Sequence, residues 1–122
     1  MTGAEISRDE PVGCWKILGF GANYIELRED GTARKKVGMR GGGADLTCPI
    51  EWRYIEPSGL EIIYRRAQVD FPDIVSEFRV KYFDGKVLEW WCMRLNDHVV
   101  ENVMLTEPEC WTKTKPPKSW QT

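Results

Sequence analysis

The chain has 122 residues, 42% hydrophobic and 30% charged, which is the balance of a single globular domain rather than of a disordered polymer. Seventeen basic against nineteen acidic side chains leave a net charge of -2, so bulk charge attracts neither nucleic acid nor an anionic membrane. No apolar run approaches the roughly 18 residues of a membrane span, and the opening MTGAEISRDE lacks the apolar core of a secretory signal.

Residues 1–11 are polar and read as a flexible N-terminus ahead of a domain over 12–114. Strands are expected over 13–20, 23–29, 32–39, 49–56, 60–67, 74–83, 86–95, 98–105 and 109–114, from short runs rich in β-branched and aromatic residues. Asp30-Gly31, Ser58-Gly59, Asp84-Gly85 and Asn96-Asp97 punctuate them, and glycine tolerates the positive φ of hairpin turns. Gly38–Asp45, with four glycines, reads as a loop, and Pro72 leaves room for one helical turn at Asp70–Ile74. The segment 115–122, with Pro116 and Pro117, reads as an extended, mobile tail.

Several strands alternate with period two, as antiparallel strands with one wet face do. Trp52 and Tyr54 oppose Glu51 and Arg53; Leu60, Ile62 and Tyr64 oppose Glu61 and Arg65; Phe78, Val80 and Tyr82 oppose Glu77, Arg79 and Lys81. No helix of ten residues survives this pattern. Sequential strands without crossover helices leave two raw edges unless the sheet closes, so the expected fold is an all-β, closed, antiparallel up-and-down barrel of about eight or nine strands.

Two sequence features sharpen that expectation. The first strand opens Gly13-Cys14-Trp15-Lys16 and the last reads Trp111-Thr112-Lys113. This order resembles the small lipocalin-like domains of the calycin superfamily, which open with G-x-W and end on W-T-[RK]. The resemblance implies that Trp15 sits at the closed end of the barrel with Lys113 packed over it. It points to lipocalin-like domains of the intracellular kind, whose functions vary.

Cysteine and histidine counts exclude much chemistry. Cys14, Cys48, Cys92 and Cys110 form no C-x-x-C pair, and His98 is the single histidine, so neither a metal site nor a cofactor is expected. Reduced thiols in the cytoplasm are the expected state. A Cys14–Cys110 bridge is the competing possibility should the first and last strands pair.

An eight-stranded barrel encloses just enough room for side chains or one small ligand. The expected inward set is Trp52, Tyr54, Leu60, Ile62, Tyr64, Phe78, Val80 and Tyr82, with Trp91 and Met93 as further candidates. The expected ligand-binding residues are Trp52, Tyr54, Tyr64, Arg66, Phe78, Tyr82, Trp91 and Met93, with tyrosine hydroxyls on an aromatic wall. Arg66 shares parity with Tyr64 and could hold a ligand carboxylate or phosphate. Strand 86–95 has two apolar faces, so parity leaves Glu89 either inside, as an acid or base, or on the surface. One of Trp90 and Trp91 must face outward, where the tail, a second copy or another protein would cover it; a homodimer contact is expected there. Three functions remain open. One is binding of a small hydrophobic or aromatic molecule in the lumen. Another is an isomerase or cyclase using the same lumen through Glu89, Arg66 and Tyr64. The third is a filled barrel serving as an interaction module. The stretch Gly19-Phe20-Gly21 and the Arg34–Lys36 basic run carry neither a dinucleotide fingerprint nor a nucleic-acid surface.

Overall fold

A computed structural model of the chain describes residues 5–19, 23–38, 44–46, 48–65, 73–95, 98–99 and 108–120. They form ten strands: β1 Gly13–Ile17, β2 Tyr24–Leu27, β3 Thr32–Val37, β4 Ala44–Asp45, β5 Ile50–Ile55, β6 Gly59–Tyr64, β7 Ile74–Phe83, β8 Val87–Leu95, β9 His98–Val99 and β10 Glu109–Lys113. Eight of them close into an antiparallel barrel in the order β10-β1-β2-β3-β5-β6-β7-β8, with β8 pairing β10 to complete the ring. The two short strands lie outside it, β4 beside β3 and β9 beside β8. The closing strand is gripped on both sides, Trp111 opposite Ile17 on β1 and opposite Leu88 on β8. Closure removes the raw edges that a nine-strand meander would otherwise expose.

The turn chemistry explains the hairpins. Gly31 and Gly85 adopt φ of 89° and 96°, a region that L side chains rarely enter. Asp84 Oδ1 accepts from the amides of Lys86 and Val87, and Asp30 Oδ1 from the amide and hydroxyl of Thr32. Those bonds hold both carboxyls below their ordinary pKa. At Ser58-Gly59 the roles differ from expectation, since Ser58 takes the positive φ, 55°. Gly59 is there for space: a Cβ would stand 2.9 Å from the Ile55 carbonyl oxygen.

The inward faces of the strands make one continuous core. Trp15, Trp90 and Trp111 keep no accessible surface at all, and Ile25, Leu60 and Leu88 are equally buried. Ring centroids run Trp15–Trp111 6.4 Å, Trp111–Trp90 5.6 Å and Trp90–Phe78 6.4 Å. A side chain without accessible surface borders no void that water could enter, so this stretch of the lumen is filled.

One barrel end is plugged by the N-terminal segment, which the sequence reading treated as flexible. Ile6 is buried in the core; its amide donates to Ser58 Oγ at 2.9 Å, and its carbonyl accepts from Tyr54 Oη at 3.0 Å. Trp15 Nε1 donates to the Pro11 carbonyl at 2.8 Å, and the Lys113 ammonium lies 5.6 Å from the Trp15 ring centre. Arg8 covers Trp52 at 5.2 Å and donates to the Glu29 carbonyl.

Other expectations are corrected. Ala44–Asp45, assigned to a loop, forms β4. The tail is docked: Lys118–Trp120 make a 3-10 turn on the outer wall, where Trp120 Nε1 donates to Asp45 Oδ1 at 2.8 Å and Arg34 stacks on the indole at 4.7 Å. Lys36 Nζ donates to Ser119 Oγ at 2.9 Å. All four cysteines are free. The terminal strands do pair, but Thr114 bonds back to Cys14 and Leu18 to Cys110. The two cysteines are therefore offset by the distance from Cys14 to Leu18, about 13 Å at the rise of a strand, beyond the reach of a bridge. β7 runs over Ile74–Phe83 as the expected strand 74–83 has it, so the helical turn does not extend to Ile74; residues 70–72, the turn Asn96-Asp97 and most of the strand expected over 98–105 fall outside the described residues.

Candidate functional site

Antiparallel connectivity puts the C-terminal ends of β1, β3, β6 and β8 and the N-terminal ends of β2, β5, β7 and β10 at the barrel end opposite the plug. There the inward residues change character. Tyr64 follows Leu60 and Ile62 on the inner face of β6 and packs against the core. Lys35 shares the inner face of β3 with buried Ala33 and lies opposite Ile25. Its ammonium donates to Tyr64 Oη at 3.0 Å and stands 5.3 Å from that ring's centre. Buried Ile25 (opposite Lys35), Ile50 (opposite Tyr64) and Ile62 (two residues before Tyr64 on β6) make the apolar floor of this end, and Leu46 and Cys48 pack against the same core.

The neighbours of Lys35 decide its charge balance. Arg34 and Lys36 point outward, where Asp45 takes the first at 2.9 Å and the second at 4.0 Å. Asp45 is held below the ordinary carboxylate range by the Trp120 indole N–H and then by Arg34. Lys35 has no carboxylate partner among the described residues. Glu109 and Cys92 occupy the same end on β10 and β8, with Glu109 Oε1 accepting from Trp111 Nε1 at 2.7 Å. Burial first, and then the Glu109 charge, push the Cys92 thiol up, and it donates weakly to the Arg94 carbonyl at 3.8 Å. This thiol is protonated at neutral pH and is no ready nucleophile.

The expected site residues separate into three groups. Trp52 and Phe78 are inside, buried within the core cluster. Tyr54 is also inside but at the plugged end, and its hydroxyl is committed: it donates to Ile6 and accepts from the Ser58 amide at 3.0 Å. Tyr64 reaches the unplugged end, and Arg66 lies outside the described residues.

Tyr82 and Trp91 correct the inward set, the first because of a β-bulge and the second because the other face of β8 is the inner one. Val80 pairs Trp90 while Tyr82 pairs Glu89, so Lys81 is an extra residue that reverses the alternation. Beyond it Phe83 turns inward and Tyr82 outward, 40% exposed and bonded to Asp84 Oδ2 at 3.1 Å. Met93 is the unpaired residue between the pairs Phe78–Cys92 and Glu77–Arg94. Leu88 and Trp90 fix the inner face of β8, which leaves Glu89 and Trp91 on the outer wall. Lys81 lies against both, 3.8 Å from Glu89 Oε1 and 5.4 Å from the Trp91 ring centre. The inside placement on which an acid–base Glu89 depended does not hold. Trp90, fully buried among rings, is not available for a dimer contact. Its indole N–H has no hydrogen-bond acceptor among the described residues and packs edge-to-face with Trp111.

Lys35 and Glu109 were missed in the sequence. Lys35 sits in an Arg-Lys-Lys run that reads as a solvated face, although strand parity alone requires its middle member to point opposite to its neighbours. Glu109 shares parity with Trp111, which was signal enough once Trp111 was placed inside. Among the described residues no group of three or more His, Cys, Asp or Glu side chains is placed to hold a metal ion.

The closed eight-strand antiparallel architecture is consistent with a lipocalin-like fold. No protein-family model, curated protein or solved structure matches the chain.

Proposed function

We propose that this lipocalin-like barrel, of the calycin type, binds a small hydrophobic or aromatic molecule at its unplugged end. The observation that carries the reading is the Lys35–Tyr64 pair, two polar groups 3.0 Å apart on the inner face above an isoleucine floor. Apolar surface with a few fixed polar groups is the ordinary make-up of a ligand site. Because the lumen between the plug and the aromatic chain is filled, the ligand is held near this end and does not penetrate to Trp15. The filled interior also favours a second reading, a barrel that serves only as an interaction module.

Titration with the neutral fluorophore N-phenyl-1-naphthylamine separates the two. Binding at this end gives a saturable rise in emission. Cys48→Trp, which adds bulk beside the floor, lowers the affinity, while Tyr82→Trp on the outer wall leaves it unchanged. No saturable emission from the native protein, or emission indifferent to Cys48→Trp, overturns the ligand reading and leaves the interaction module.

A further inference from the structure

We infer that the ligand of this end is an organic anion, an apolar body carrying a carboxylate, sulfonate or phosphate that Lys35 and Tyr64 grip together. The inference rests on the reading of the site as a small-molecule site and adds the chemical class of what it takes.

Three observations carry it. The cationic run Arg34-Lys35-Lys36 is divided by the strand: the outer two members share Asp45, and among the described residues the inner one has a neutral phenol and no carboxylate for a partner. The Lys35 ammonium is partly withdrawn from water beside buried Ile25, so its uncompensated charge favours a counter-charge over a neutral group. Tyr64 Oη, having accepted from Lys35, still carries a proton, and no described acceptor takes it. The pair therefore presents two donors, one of them charged, to a single point above the floor. Two donors side by side suit the paired oxygens of an oxyanion, and charge-assisted bonds are about twice as strong as neutral ones. Glu89 and Tyr82, the polar groups expected to face a ligand, lie on the outer wall and do not compete.

The test compares two fluorophores of similar aromatic body, anionic 8-anilinonaphthalene-1-sulfonate and neutral N-phenyl-1-naphthylamine. The native protein binds the sulfonate more tightly by about tenfold, the worth of one charge-assisted bond. Lys35→Met abolishes that preference, read as the ratio of the two probes' affinities for the same variant, whereas Lys35→Arg retains it. Near-ultraviolet circular dichroism confirms that each variant is folded. Equal affinities in the native protein overturn the anion assignment without any variant, as does a preference that survives Lys35→Met. Failure of both probes overturns the site itself; binding of the neutral probe with no gain for the sulfonate overturns the anion class alone.

Discussion

Cys14 illustrates how one side chain reports on the wall around it. It lies on β1 opposite Glu26, buried although its parity is that of the outer face. Burial, and secondarily the Glu26 carboxylate, push its thiol up to about 11 from an ordinary 9.0. As pH rises above 9 the unfolded thiol ionises while the folded one holds its proton, so the unfolded state binds fewer protons and stability falls. Between about pH 9 and 11 this contributes a loss of roughly 2–3 kcal/mol. Urea unfolding at pH 8 and pH 10.5, in the native protein and in Cys14→Ala, isolates it: the native protein loses more over the interval, and an equal loss in both would exclude the effect. Tyr54 and Tyr64 make a related point. Both have inward parity, yet one hydroxyl is used up by Ile6 and Ser58 while the other, among the described residues, meets Lys35 alone. Parity gives a side chain's face and not its partner.

Among the elements, the N-terminal segment is the one whose role its composition hides. A polar stretch with a single isoleucine gives no strand or helix signal, and its order comes from long-range bonds to Ser58 and Tyr54. Ile6→Ala removes the one buried apolar side chain ahead of Pro11 among the described residues and is expected to cost about 2–4 kcal/mol. Urea unfolding with an unchanged denaturant slope checks it; a loss below about 1 kcal/mol would mean that the segment rests on the barrel without stoppering it. The long strands show the complementary limit of legibility. The alternation in β5, β6 and the first half of β7 was plain in the sequence, because one face is apolar and the other charged. It failed beyond Val80 since a single inserted residue, Lys81, reverses every later side chain, and nothing local in Val80-Lys81-Tyr82 marks the insertion. In β8 both faces are apolar, so only packing against Phe78 and Trp111 selects Trp90 for the interior.

For the molecule as a whole, closure was legible because it follows from strand count and the absence of helices, whereas the candidate site was not, because it assembles from β3 and β6, which do not touch as neighbours in the sheet. Tyr64 was recognised and its partner was not. The line of rings through the middle of the barrel has a further, optical consequence. Indoles 5.6 and 6.4 Å apart, tilted by 65° and 46°, are close enough for their electronic transitions to mix. The folded protein is therefore expected to show a paired positive and negative band in its circular dichroism that belongs to the tryptophans and not to the backbone. Trp90→Phe interrupts the line and flattens that doublet while thermal melting stays a single transition. A doublet undiminished by the substitution would place its origin in other chromophores, and its loss on heating gives a direct optical gauge of when the barrel comes apart.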